Sequence, residues 1–343
     1  MRERLAYEVL KRDQRVSRLL GLADSQPEDY INGYLSPSRG MEGVRGGHRS
    51  IVFFGLGGSG IVGRVAAVIS EEFSRSPVIA ISDRHLPRWI SGEDLIVLVS
   101  YSGETLEVIE AYREVMRRGV PSVVISSGGA LIDHAERDNT PFIKLTSGLP
   151  PRMAFPLMLG ASVRVLSGIN VSGLYETLVG SIERLKDLRS SLSAVNDEGN
   201  ISKEIAIHLF GGSPHVFASW PLTVSSYRFK TQLNENAKMP CITHEIPESM
   251  HNEVEALPFS PLDRYVLFRT NDEPVDVRVQ LDYISSTFTD RVLEVRVNRG
   301  GVLDAIMISD YASIYLAALS GVDPINVPKI SDVRKRIKER TVR

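Results

Sequence analysis

Five short apolar runs in the first half of the chain limit its fold more than any other feature. They are Ser50-Ile51-Val52-Phe53-Phe54, Pro77 to Ile81, Asp94 to Ser100, Pro121 to Ile125 and Pro141 to Leu145. Each is too short for a core helix, and glycine, proline or hydroxyl residues bound them. Helical patterns follow three of them: Ile61 to Glu72, Leu106 to Arg118 (stopped by Gly119), and a third reaching about Glu136. Strands that are apolar throughout and alternate with helices predict a mainly parallel sheet covered on both faces. In such sheets a ligand sits beyond the carboxyl ends of the strands. The glycine- and hydroxyl-rich segments Gly55-Leu56-Gly57-Gly58-Ser59-Gly60, Ser100-Tyr101-Ser102-Gly103-Glu104-Thr105 and Ser126-Ser127-Gly128-Gly129 all fall at such ends.

The second of these segments speaks most directly to chemistry. Three hydroxyls and a glycine converge on a predicted helix start, where backbone N–H groups are unpaired and the helix dipole is positive. That combination suits a phosphate. The Gly-x-x-x-x-Gly-Lys-Ser/Thr pattern of a nucleotide triphosphate loop is missing, so a small phosphorylated ligand such as a sugar phosphate is expected. Gly55-x-Gly57-x-x-Gly60, with Asp83 after the second strand, also permits a dinucleotide site. A dinucleotide does not require three hydroxyls on the neighbouring strand, and this favours the phosphate.

The remaining pattern is looser. Residues 3–21 and Glu28 to Leu35 read as helices, and Ser36 to His48 as a loop. Leu157 to about Ser193 reads as helical and bridges two halves. The second half repeats the theme, with strands at His215 to Ser219, Ile242 to Ile246, Tyr265 to Arg269 and Leu293 to Val297. Its helices are placed at Thr223 to Ala237, Val275 to Ser286, Leu303 to Leu319 and, basic and short, from about Ile330. The expected organisation is an N-terminal helical segment (1–48), a first α/β domain (49–160), a helical connection (161–200), and a second α/β domain with a C-terminal helix (201–343).

Among the 343 residues the net charge is −2, which gives no broad field for polyanions, so no nucleic-acid partner is expected. The basic stretches Arg113 to Arg118 and Arg334 to Arg343 read as solvated helix faces. Cys241 is the single cysteine. It excludes an intramolecular disulfide and reads as a packing residue. The mixed charges of Met1 to Leu5 do not resemble a signal peptide. No stretch reads as apolar for the roughly 18 residues of a membrane helix. A cytoplasmic protein without membrane attachment is expected.

A third constellation joins Asn234-Glu235-Asn236-Ala237-Lys238 to Pro247-Glu248-Ser249-Met250-His251-Asn252-Glu253. A carboxylate and an imidazole are a common pair for moving protons near neutral pH. From spacing alone, a solvated helix glutamate and a loop histidine are the plainer readings.

Taken in order, Gly57-Gly58-Ser59-Gly60, Ser100-Tyr101-Ser102-Gly103-x-Thr105, Pro151-Arg152, the Asn-Glu-Asn-Ala-Lys block and Pro247-Glu248 with His251-Asn252 resemble the bifunctional phosphoglucose/phosphomannose isomerase family. This family is built from two sugar-isomerase (SIS) domains. The resemblance runs from about residue 1 to 340, and the Asn-Glu-Asn-Ala-Lys block is its discriminating part. It implies an α/β fold of two SIS-type domains, each a mainly parallel sheet with helices on both faces. It implies that glucose 6-phosphate, and mannose 6-phosphate, are interconverted with fructose 6-phosphate through a cis-enediol without a metal or other cofactor. Gly58, Ser59, Ser100, Ser102 and Thr105 would hold the phosphate, with Gly57 beside them. Glu235 would be the base, Arg152 the partner of the enediol charge, and His251 the ring-opening group. His251 would come from the second subunit of a homodimer.

Two positions depart from the family pattern. Arg334 stands where the family carries a lysine at the ring-opening end, and arginine exchanges protons poorly. Val327 stands where members active on mannose 6-phosphate carry a threonine, so a hydrogen-bonding hydroxyl is lost. A shift of one residue would place Lys335 at the site instead. Two other readings are compatible with the serine-rich turn: an isomerase of another sugar phosphate, and a non-catalytic SIS sensor. The two-domain length and the Asn-Glu-Asn-Ala-Lys block argue against the first. The short N-terminal segment, with no helix-turn-helix pattern, argues against the second.

Overall fold

The computed structural model describes residues 2–169, 171–298 and 300–341. Its strands form two sheets. The first contains β1 (Ser38–Arg39), β2 (Ile51–Phe54), β3 (Val78–Ile81), β4 (Leu95–Val99), β5 (Ser122–Ser126) and β6 (Phe142–Lys144). Their order is β1-β6-β5-β4-β2-β3, parallel except for β1, which runs antiparallel to β6. Every residue of β2, β4 and β5 is buried. Alternate side chains serve opposite layers. Val52, Phe54, Ile96 and Leu98 pack with Val108, Tyr112 and Val115 of α5 (Leu106–Arg118) and Leu131 of α6 (Gly129–Asp138). Ile51, Phe53, Leu95 and Val97 pack with Val62 and Val65 of α4 (Gly60–Ser70) and with α7 (Phe155–Gly168). A sheet covered on both faces has no polar side, which is why its strands read as unbroken apolar runs.

The second sheet is wholly parallel, in the order β10-β9-β7-β8. It comprises β7 (Ser213–Ser219), β8 (Ile242–Ile246), β9 (Asp263–Thr270) and β10 (Val292–Val297). One face packs against α9 (Ile201–Leu209), α10 (Thr223–Gln232) and α12 (Val302–Ser320), and the other against α11 (Val275–Thr287). Two α/β units built on parallel-dominated sheets are therefore present, as the sequence predicts.

Several local expectations are corrected. The single helix expected over 3–21 is a 3-10 turn (Arg2–Leu5), α1 (Tyr7–Leu10) and α2 (Gln14–Asp24). Asp13 interrupts it by capping α2, accepting the Arg15 N–H at 2.9 Å, as short acidic side chains do at N-caps. α3 (Gln26–Tyr34) follows. The expected loop 36–48 contains β1 and a 3-10 turn at Met41–Gly43. The long helix expected over Leu157 to Ser193 is two, α7 and α8 (Leu174–Leu192). Gly173 precedes α8 with φ +87°, a conformation that favours glycine. α9, capped by Asn200 through the Lys203 N–H, is not foreseen by periodicity.

One correction concerns membranes. α12 is long and apolar enough by composition to cross one, yet it is buried almost throughout. Its buried Asp304 and Asp310 pair with Arg184 and Arg228, at 2.8 and 2.7 Å. It is the central core helix shared by α2, α9 and α10. Beyond it, α13 (Pro328–Thr341) is exposed.

Candidate functional site

In the first sheet the chain turns in opposite directions from the adjacent strands β2 and β4, the place where such sheets bind ligands beyond the strands' carboxyl ends. The two hydroxyl-rich turns meet there. Gly57 adopts φ +55°. A side chain at Gly58 would come within 3.2 Å of the Arg152 backbone, so this glycine allows the β2 turn to approach Arg152. Ser59 is buried, and its hydroxyl oxygen accepts the Tyr101 N–H at 3.1 Å. The first turn thereby fixes the second. Ser100 is also buried and donates to Thr105 Oγ1 at 3.0 Å. The exposed Ser102 accepts the Glu104 N–H at 3.3 Å. Thr105 is the N-cap of α5 and makes no side-chain cap bond, which leaves first-turn N–H donors without a partner from their own helix. Gly103, φ +68°, lies against the Gly128 carbonyl and docks the third turn. The Ser59–Tyr101 bond thus joins the β2 turn, with Gly57, Gly58 and Ser59, to the β4 turn, with Ser100, Ser102 and Thr105, as the cradle expected from the sequence requires.

Arg152 links this cradle to the second unit. It lies just before α7 and is 3% exposed. Its Nε donates to Asn236 Oδ1 at 2.7 Å, and its Nη2 to the Ile325 carbonyl at 3.1 Å and the Pro324 carbonyl. Nη1 faces Glu235 Oε2 at 3.4 Å. Burial lowers its pKa, Glu235 acts in the opposite sense, and Arg228 adds to the lowering. An arginine remains charged under such pressure. The guanidinium is fixed on three sides, with the fourth toward the carboxylate.

Glu235 is on a π-helical turn, Leu233–Ala237, at the end of α10. The expected continuous helix to Ala237 is corrected here. A π turn inserts a residue and re-aims the side chains that follow, and such turns often occur at functional sites. Lys238 ends it with φ +58°. Its ammonium donates to the Glu235 carbonyl and to the Asn326 carbonyl, the latter at 2.7 Å. Arg152 and Lys238 together strap the segment 324–326 across the turn.

Behind the site, Asp310 accepts Arg228 Nη2 at 2.7 Å, Gln232 Nε2 at 2.7 Å and Gln26 Nε2 at 2.9 Å. Arg228 Nη2 also donates to the Arg152 carbonyl at 3.1 Å. Asn236 Nδ2 donates to Ser313 Oγ at 2.9 Å. Arg228, Asp310 and Ser313 carry no motif signal. Asn236 and Lys238 belong to the quoted block, where their roles could not be read.

The other candidates lie apart. His251 is exposed at the end of a 3-10 turn, Glu248–His251, after the edge strand β8. No hydrogen bond ties it to Arg152 or Glu235. Val327 is half-buried and follows the strapped segment, while Arg334 and Lys335 are exposed on α13. Among the described residues no group of three His, Cys, Asp or Glu side chains is placed to hold a metal.

Both α/β units have counterparts in known proteins. Residues 47–139 match the SIS domain model, and residues 198–337 match the bacterial phospho-glucose isomerase C-terminal SIS domain. The C-terminal domain of glucosamine-fructose-6-phosphate aminotransferase from Francisella tularensis has the same fold (TM-score 0.68, 16% identity, 90% of this chain and 98% of that one). A D-glucosamine-6-phosphate 4-epimerase from Sulfolobus acidocaldarius is 33% identical over 223 residues, 64% of this chain and 67% of that protein. The bifunctional phosphoglucose/phosphomannose isomerase of Aquifex aeolicus is 30% identical over 304 residues, 85% of this chain and 91% of that protein. The two SIS units, in their order and over nearly the full length of that relative, place the chain in the bifunctional phosphoglucose/phosphomannose isomerase family.

Proposed function

We propose that the protein interconverts glucose 6-phosphate, and mannose 6-phosphate, with fructose 6-phosphate. The observation that carries this reading is Glu235 on its π turn, 3.4 Å from a buried Arg152 that backs directly onto the Gly58 turn of the cradle. The phosphate would lie on Gly58, Ser59, Ser100, Ser102 and Thr105, with Gly57 giving clearance. Glu235 would take the proton from C2 of the open-chain aldose and return it to C1. The electron pair left at C2 would form the enediol double bond, and Arg152 would stabilise the oxygen charge that develops. No metal is needed in these steps. His251 would open the ring, reaching the site from the second subunit of a homodimer. Its exposure after an edge strand suits that role. Val327, beside the strapped segment, would face the sugar's reacting end, and Arg334 would add positive charge there. A cytoplasmic location goes with a phosphorylated metabolite as substrate.

The Sulfolobus relative favours a second reading, epimerisation of an amino-sugar phosphate at C4. One experiment separates them: turnover of glucose 6-phosphate, mannose 6-phosphate and glucosamine 6-phosphate by the wild type and Glu235→Gln. Isomerisation of the first two, lost in Glu235→Gln, supports the proposal. Turnover of glucosamine 6-phosphate alone refutes it, and near-wild-type rates in Glu235→Gln remove Glu235 as the base.

A further inference from the structure

Two histidines outside this site are buried side by side in the second sheet. His215 on β7 and His244 on β8 have nearly parallel ring planes, 7° apart, and His215 Nδ1 lies 2.9 Å from His244 Nε2. The line continues at both ends. His244 Nδ1 is hydrogen-bonded to Glu253 Oε2, and His215 Nε2 faces Asp263 Oδ1 at 3.4 Å. Both rings and Asp263 are buried, whereas the Glu253 side chain is about half exposed. Glu253 opens the 3-10 turn Glu253–Ala256, directly after the turn that ends at His251. The line therefore ties the His251 region to the sheet.

Counting protons decides how. Two ionised carboxylates supply none, and two neutral imidazoles supply one N–H each. Two protons must serve three contacts. Asp263 takes the Ser260 N–H on its other oxygen, Oδ2, at 2.8 Å, and the 3.4 Å from Oδ1 to His215 Nε2 exceeds the usual N–H···O range, so this contact is the weakest of the three. The remaining contacts, ring to ring and ring to Glu253, take the two protons. Burial holds both imidazoles below their ordinary range. His244 lowers His215 further, while Asp263 and Glu253 push back on both. The other groups against the pair are Tyr265, edge-on to His215 at 5.5 Å with Arg291 near it, and Phe217, stacked on His244 at 4.2 Å.

We propose that His244 and Glu253 are positioning residues for His251. Both imidazoles carry their proton on Nδ1, with His215 donating to His244 and His244 donating to Glu253. This line fastens the two turns over 248–256 in the orientation His251 needs. The inference rests on the ring-opening role proposed for His251.

Two measurements on the full chain test it. Nitrogen-15 NMR at pH 7 should find His215 and His244 as Nδ1–H tautomers; an Nε2–H form of His244 overturns the line. Kinetically, Glu253→Ala should lower kcat for glucose 6-phosphate about tenfold or more, as a misplaced group does, with KM within twofold. Glu253→Gln, which still offers an acceptor, should recover most of the loss. In a His251→Ala background, Glu253→Ala should have no further effect, because both changes act through one group. Additive losses, or equal losses in Glu253→Ala and Glu253→Gln, overturn the proposal. His244→Phe fills the same space without a donor and should reproduce the kcat loss, so the test does not depend on Glu253→Ala folding. An unimpaired His251→Ala refutes the role of His251 and the positioning with it. A wrong tautomer refutes the line alone, so the two failures are distinct.

Discussion

Replacing Arg152 by lysine keeps the charge and removes the fork. In the structure the fork makes three hydrogen bonds, to Asn236 Oδ1 and the Pro324 and Ile325 carbonyls, and turns Nη1 toward Glu235. An ammonium group cannot reach all of them. Asn236 is fully buried, and each buried acceptor left without a donor costs ~1–3 kcal/mol. Arg152→Lys should therefore lower unfolding stability by roughly 1–6 kcal/mol, for one or two stranded acceptors. The catalytic effect should be of similar size, about 3–4 kcal/mol. If the guanidinium stabilises charge only as the enediol forms, its loss should lower kcat by about 10²–10³ and leave KM nearly unchanged. A coupled assay for fructose 6-phosphate formation gives kcat and KM, and urea unfolding of the same preparation gives the stability. A folded variant that keeps kcat within tenfold of wild type refutes the role of Arg152. A variant that changes KM alone shows that Arg152 binds ground state and transition state alike.

Four further outcomes follow from the same geometry. Removing the hydroxyl pair with Ser100→Ala and Thr105→Ala should raise KM for hexose phosphates about tenfold or more with little change in kcat; the reverse pattern would show that the pair acts on the transition state. Asp310→Ala strands the buried Arg228 and should cost ~3–5 kcal/mol by equilibrium denaturation, and a loss under ~1 kcal/mol would contradict the network. Asp94 is buried, which alone would raise its pKa, but Arg49, Ser50 and the Ser91 N–H hold it at about 2. A carboxylate with a depressed pKa stabilises the fold above its unfolded value near 3.9 and loses that effect as pH falls toward 2. Asp94→Asn should then be less stable than wild type at pH 7, with the gap closing in acid unfolding below about pH 4; a gap that does not depend on pH would argue against the linkage. Finally, chelator should leave turnover intact, and loss restored by one added divalent cation would refute the metal-free steps.

The legible part of the fold was the part with simple periodicity. β2, β4 and β5 are buried on both faces, so their composition alone separates them from helices. Asp13 and Gly173 were harder, since a single capping or left-handed residue splits a helical pattern without disturbing its apolar spacing. α12 reads as a helix from its sequence, but two aspartates interrupt its apolar run and disguise its length. Its two aspartates become intelligible only beside Arg184 and Arg228, whose partners are more than 80 positions away. The glycine- and hydroxyl-rich turns at the strand ends were legible because each is local in sequence. Glu235 and Arg152 were paired only through family resemblance, since 83 residues separate them. The π turn that re-aims Glu235 has no periodicity to reveal it. The Asp263–His215–His244–Glu253 line lies across three strands and a turn, and no spacing rule connects such positions.

The two sheets share one order, the second strand outside the first and the third and fourth on the other side. Each therefore has a switch point where such sheets bind ligands, yet the two are furnished differently. Beyond β2 and β4 stand the glycines and hydroxyls of the proposed phosphate cradle. Beyond β7 and β9 stand Ser219-Trp220-Pro221 and Thr270 to Pro274, with proline in both turns and no comparable glycine run. Proline removes an N–H and holds its φ near −65°, which works against a backbone cradle for an anion. The second unit instead contributes from the end of α10, where Glu235 projects toward Arg152 of the first. The proposed anchor from one unit and the proposed base from the other require that their relative placement be rigid. Gly58 packed on the Arg152 backbone, Arg152 bonded to Asn236, and Asp310 gathering Gln26, Arg228 and Gln232 supply that rigidity through buried contacts. A duplicated architecture with divided chemistry therefore accounts for why so many polar groups of this chain are buried at the junction of its two halves.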